Sequence, residues 1–197
     1  MAAVASVEAL HYLNTKQSIT LSVQELIDCD TENDGCKRGR SKVALAYILK
    51  NGLSSESSYP YMAQDNISGC KKDKSVAAKI SGYKFVKATE DALEEAVGKQ
   101  PVIVRLQWPA DMRSYKGGII EREALPRTLP DGSTMTGHAV LIVGYGTDNG
   151  VKFWRFKNSW GNTWGEGGFG RIRRHVTDKR GVLGIFMDRG VYPVIET

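Results

Sequence analysis

Three side chains in the C-terminal half are of types that act together in covalent catalysis. They are His138 in "TGHAVLIVGYG", and Asn158 and Trp160 in "KNSWGNTWGEGGFGRIRR". An imidazole serves as a general base when its tautomer and ring plane are held, and a carboxamide oxygen holds them by accepting a ring N–H. Such a pairing predicts that Asn158 accepts the Nδ1–H of His138, leaving Nε2 to face a nucleophile. Trp160, two residues beyond Asn158, is placed to keep water from that hydrogen bond and strengthen it by lowering the local dielectric.

The elements that would position these residues are legible in the apolar periodicity. From about Gly82 the pattern is of β type: Val102-Ile103-Val104 after Pro101, His138 to Tyr145, Val151 to Lys157 and Phe169 to Arg173 read as strands separated by Gly-rich turns. His138 then opens one strand and Asn158 comes directly after another. A single helix interrupts them, Thr89 to Val97, with Glu90 and Asp91 in its first turn. The first half reads as helical. Ser22-Val23-Gln24-Glu25 is a capping box launching a short helix to Cys29. Ser41 caps a second helix with Val43, Ala44, Tyr47 and Ile48 on its apolar side and Gly52 as its stop.

The chain opens on "MAAVASVEAL", whose Ala3, Val4, Val7 and Leu10 have the spacing of an amphipathic helix, with no Ser, Thr, Asp or Asn ahead of it as a cap. A secretory signal does not fit, since there is no basic leading region and Glu8 interrupts the apolar stretch. The expected organisation is α+β, with a helical lobe over 1–82 that starts inside a helix, a β lobe over 83–197, and a cleft between them.

Composition narrows the function classes. The 197 residues are 41% hydrophobic and 25% charged, as expected of a globular chain. The longest apolar run, Ala139 to Val143, is too short to cross a bilayer. The net charge of +5 is scattered apart from Lys37-Arg38-Arg40-Lys42 and Arg171-Arg173-Arg174, and neither cluster is interleaved with aromatics as in a nucleic-acid surface. Three cysteines, Cys29, Cys36 and Cys70, lack the paired spacing of a zinc site, so no metal or other cofactor is expected. An odd count leaves one thiol over in a disulfide-bearing protein. Asn66-Ile67-Ser68 is an acceptor triplet for N-glycosylation and fits an oxidising, secretory setting.

The two C-terminal segments resemble the histidine and asparagine motifs of the papain family of cysteine peptidases. "LSVQELIDCD" resembles that family's "LSEQELVDC", "GCKRGR" its "GCxGG" loop and "SSYPY" its "YPY" element, all in the family's order. The resemblance covers essentially the whole chain. It implies a two-lobed fold, a helical lobe plus an antiparallel β-barrel-like lobe, with His138 as catalytic base, Asn158 as its orienting partner and Trp160 as the shielding indole. It also implies that Cys29 and Cys70 form a disulfide and that Cys36 is the unpaired thiol. A third disulfide of the family has neither of its cysteines here. "MAAVASVEAL" is similar to the segment just after the family's nucleophilic Cys-Trp pair, so the expectation is a chain truncated ahead of its nucleophile and inactive as written. The same resemblance implies peptide or protein substrates, cystatin-type inhibitors, a secreted, vacuolar or lysosomal location, and a monomer or a dimer linked through Cys36. The alternative is a non-catalytic pseudopeptidase that binds peptides or inhibitors.

Within the implied substrate cleft the chain departs from the family. Gly39 keeps one position of the usual glycine pair, while Arg38 holds the other. The positions implied for the main specificity pocket fall at Arg40, Ser41, Arg105, Thr136, Ala139 and Arg189. Three arginines gathered there would repel one another unless paired with carboxylates or turned to solvent. The expectation is an acidic side chain two residues before the cut, or a narrowed cleft.

Overall fold

The computed structural model describes residues 1–65 and 69–195, so the Asn66 acceptor site lies outside the described residues. In chain order the elements are α1 (Ala2–Thr15), α2 (Val23–Cys29), α3 (Ser41–Asn51), β1 (Gly82–Val86), α4 (Glu90–Val97), β2 (Val102–Gln107), β3 (Ile119–Ile120), β4 (Gly137–Asp148), β5 (Val151–Lys157), β6 (Phe169–Arg173) and β7 (Gly190–Val194). Two compact units result. One takes in Ala3–Lys84 and the C-terminal strand from Val191 on, which the sequence pattern assigns to the β lobe; the other is Phe85–Gly190.

The first unit is mainly helical. Helix α1 buries Ala3, Val4, Val7 and Leu10, the stripe its periodicity predicts, and ends at Lys16, whose left-handed backbone returns its N–H to Tyr12 O. At α2 the Ser22 side chain accepts the Glu25 N–H as a cap. The reciprocal half of the expected capping box is absent. Ser22 N donates to Ser54 O instead, which frees the Glu25 carboxylate to accept from Ser54 N at 2.7 Å and Tyr47 Oη at 3.0 Å and to pair with Lys74 Nζ at 3.2 Å. A buried carboxylate with that many donors ties α2, α3 and the loop after α3 together.

The expected cap of α3 also shifts. Ser41 is the first helical residue, Arg40 is the cap without a side-chain bond, and Asn33 Oδ1 accepts the Arg40 N–H at 2.8 Å. Gly52 ends α3 at φ 73°, a conformation that favours glycine. Cys29 and Cys70 form a disulfide, with Cα atoms 4.8 Å apart, and Cys36 is free and exposed. Strands β1 and β7 lie side by side, and Ser81 N donates to Val194 O.

The second unit carries strands in the order β2-β4-β5-β6-β3. All pairings are antiparallel except β3 with β6. This sheet is open and mixed, which corrects the barrel-like lobe expected above. The two-residue β3 ends the order on one edge, and a strand that short offers too few hydrogen bonds to carry the sheet round into closure. Val102, Leu106, Val140, Ile142, Trp154, Phe156 and Ile172 form its core. Gly170 lets the Phe156 ring lie against β6, where any Cβ would collide with it.

Helix α4 is capped by Thr89, which accepts the Ala92 N–H. The arginine run of β6 makes no open basic patch. Arg171 pairs with Asp148 and Glu166, Arg173 with Glu121, and Arg174 with Glu94.

Candidate active site

The cross-strand ladder places His138. His138 on β4 stands opposite Leu106 on β2, and the chain leaving β2 continues to Trp108, whose N–H donates to Thr136 O at 2.8 Å. Asn158 comes directly after β5, and its own N–H donates to Gly168 O in the glycine-rich loop before β6. Because β4 and β5 are adjacent, the start of one and the end of the other meet at the same end of the sheet.

There His138 Nε2 lies 2.8 Å from Asn158 Oδ1, and the same oxygen accepts the Ser159 N–H at 2.8 Å. The Ser159 contact identifies that atom as the carboxamide oxygen, which can only accept. Nε2 therefore carries the proton. Nδ1 holds the lone pair and has no hydrogen-bond partner among the described residues. This corrects the expected assignment. The ring edge turned toward Asn158 is the Nε2 edge, so Nδ1 is the atom left to take a proton.

Aromatic rings enclose the imidazole. Trp160 lies 5.4 Å from it, centroid to centroid, and is 37% exposed. Trp108 lies closer, at 4.4 Å, and is only 8% exposed; the sequence motifs do not single it out. A signal for it exists all the same. A tryptophan two residues past the position opposite His138 falls on the same sheet face as a diagonal neighbour. Burial pushes the His138 pKa below the ordinary imidazole value, and the Asn158 hydrogen bond opposes that fall. Burial thus favours the uncharged ring, whose acceptor is Nδ1. Asn158 is 6% exposed, and its Nδ2 makes no hydrogen bond among the described residues.

Residues 1–187, which include this imidazole–carboxamide pair, match the family model described as papain family cysteine protease. The chain belongs to the papain family. It is 42% identical over 193 residues to the senescence-specific cysteine protease SAG39 of Oryza sativa subsp. indica, covering 94% of this chain and 54% of that protein. It is 38% identical to the KDEL-tailed cysteine endopeptidase CEP2 of Arabidopsis thaliana, covering 97% and 52%. The solved bromelain protease of Ananas comosus, in complex with the E64 inhibitor, superposes with a TM-score of 0.87 at 36% identity, over 99% of this chain and 87% of that one. The chain spans about half the length of the full relatives it matches.

Three of the residues implied for the specificity pocket are arginines, and the structure shows how their charge is held. Arg105 stands opposite Ala139 in the β2–β4 ladder and reaches back over Gly137, where a Cβ would collide with its guanidinium. That guanidinium lies 3.4 Å from Asp188 Oδ2 and 3.4 Å from Met135 O. Arg127 shares the same carboxylate at 2.8 Å. Arg189 lies over the Phe85 ring at 4.9 Å. Arg105 and Arg189 thus have separate partners. Thr136 enters only through its carbonyl, which receives the Trp108 N–H. In the first unit, Gly39 packs on the Asn33 carboxamide, Arg40 is exposed, and Ser41 begins α3.

Proposed function

We propose that this chain is the base-bearing part of a cysteine-type endopeptidase, in which His138 is the general base and acid and Asn158 its orienting partner. The observation that carries the reading is the 2.8 Å contact from His138 Nε2 to Asn158 Oδ1, which leaves Nδ1 as the proton acceptor. In peptide hydrolysis through a thiol, Nδ1 takes the thiol proton as sulfur attacks the carbonyl carbon and returns it to the leaving amine. It then takes a proton from the water that releases the acyl group. Asn158 holds the imidazolium that forms between these steps through Nε2–H, without becoming charged.

Residues 1–197 alone do not turn over substrate in this reading. Cys29 and Cys70 are joined to each other, and Cys36 lies in an exposed loop where partial desolvation, followed by the neighbouring Asp65 carboxylate, pushes the thiol pKa up and away from thiolate. The nucleophile and most of the oxyanion hole belong to chain outside these residues in the active form. Peptide substrates and a secretory or vacuolar location belong to the same reading, and are supported by the relatives' being cysteine proteases, one of them KDEL-tailed.

The test is intact mass and N-terminal sequencing of the natural protein, combined with labelling by an epoxide probe that alkylates peptidase thiols. Labelling of a cysteine ahead of α1 is expected. A natural protein that begins at Met1 and takes up no label would overturn the catalytic reading in favour of a peptide-binding protein.

A further inference from the structure

We infer that Trp108 is the positioning residue for His138: its indole, packed against the imidazole at a tilt of 50°, fixes the ring plane and so keeps Nε2–H turned to Asn158 and Nδ1 free as acceptor. The inference rests on the reading of His138 as the base. Asn158 alone cannot do this, because one hydrogen bond restrains the Nε2 corner and leaves the ring free to rock about it. A rigid ring packed against the imidazole removes that freedom.

Trp108 has the geometry for the task. Its ring centroid is 4.4 Å from that of His138, closer than the 5.4 Å of Trp160. Its main chain is tied by the Trp108 N–H to Thr136 O, two residues before His138, so ring and imidazole are held from the same stretch of chain leading into β4. Its indole is wedged against Phe156 at 6.3 Å, Trp160 at 5.5 Å and Trp164 at 6.0 Å. Trp164 is itself pinned by its Nε1–H to Met112 O at 3.0 Å. Trp108 is therefore a fixed wall, whereas the more exposed Trp160 is a cover. Edge and tilted contacts of this kind align aromatic planes beyond what buried area alone achieves. The wall also excludes water from one imidazole face, the condition under which burial disfavours the imidazolium.

The test uses the 197-residue chain labelled with nitrogen-15, with the tautomer read from the imidazole nitrogen shifts and the titration from the same resonances; His11 and His175 serve as internal references. Trp108→Leu keeps an apolar side chain but removes the ring and opens space beside His138, and Trp108→Phe restores a ring. In the parent chain one Nε2–H tautomer is expected. Trp108→Leu is expected to show mixed tautomers and a titration midpoint moved upward as water reaches the ring, and Trp108→Phe to return both toward the parent. A Trp108→Leu chain with the parent tautomer and midpoint would overturn the inference, as would a Trp108→Phe chain as disturbed as Trp108→Leu. Failure of the peptidase reading itself would appear separately, as a natural protein that takes up no thiol probe.

Discussion

Asn158 Oδ1 is shared at 2.8 Å by His138 Nε2 and the Ser159 N–H, so the backbone of the residue after Asn158 fixes the carboxamide that in turn fixes the imidazole. An oxygen held from two directions cannot be exchanged for the amide nitrogen by rotation without losing both bonds. The turn after β5 thus sets which end of the Asn158 carboxamide faces His138.

The first prediction concerns this bond. Burial lowers the His138 pKa and the Asn158 contact opposes it, so Asn158→Ala is expected to lower it further, and Asn158→Asp to raise it by placing a negative charge beside the imidazolium. With the folded pKa below that of the unfolded chain, the unfolded state binds more protons between the two values, and stability falls as pH drops through that window. Urea midpoints measured from pH 8 to pH 5, above the carboxylate range, should fall more in the parent chain than in His138→Gln.

A second prediction concerns Arg174, whose side chain is 6% exposed and lies over Tyr145 at 4.6 Å and Trp154 at 5.5 Å, paired with Glu94 at 2.6 Å. The Arg174 hydrogen bond holds the Glu94 carboxyl below its usual range, against an opposing effect of burial. Removing the partner of a buried guanidinium is costly, so Glu94→Ala should lose about 3 kcal/mol of stability. Glu94→Gln, which keeps an acceptor, should lose about 1 kcal/mol. The carboxylate's contribution is full above its ordinary pKa and is lost as pH falls through its lowered folded value. Equilibrium denaturation of the two variants checks the ranking.

The Cys29–Cys70 disulfide closes a loop with a sequence separation of 41. Chain entropy assigns such a crosslink about 4 kcal/mol. The double variant Cys29→Ser, Cys70→Ser should lose about that much, measured by urea denaturation. Iodoacetamide labelling and a mass measurement should find one label on the native chain, at Cys36, and three after reduction and unfolding.

Elements whose apolar pattern serves local burial were legible in the sequence: the buried stripe of α1, the bounds of β5 and β6, and the meeting of His138 with Asn158. The features that were not legible depended on partners distant in sequence. Glu25 satisfied the local rule for a capping box, but Ser54, Tyr47 and Lys74 offered it better donors. The ring edge that His138 turns to Asn158 depends on side-chain rotation, which residue types do not encode. Trp108 reads as one more apolar residue at a strand end, because its importance lies in a diagonal neighbour on another strand. Strands β1, β3 and β7 are short or polar, and they exist through their pairing rather than their pattern.

The last prediction takes up Arg105, which lies beside Gly137 and hence one residue from the base. Asp188 is held in its charged form chiefly by the Arg127 hydrogen bond, with Arg105 adding to the effect, so one carboxylate faces two guanidiniums and leaves a net positive charge. All three side chains are 40% or more exposed, so the cluster adds less than about 1 kcal/mol to stability. Its effect should appear in specificity. In a complete, active form assayed with a fluorogenic peptide library, Glu or Asp two residues before the cut should be favoured over Leu. Arg105→Ala should reduce that preference about tenfold in kcat/KM, equivalent to about 1.4 kcal/mol of transition-state discrimination. Asp188→Asn should increase it, since both arginines then lack their internal counter-charge. Gly137→Ala separates position from charge: its Cβ displaces the flexible end of Arg105 without removing it, so the preference should fall while the urea midpoint stays near that of the parent. A library showing strong selection for Leu or Phe at this position in the parent enzyme would mean that Arg105 turns away from substrate altogether.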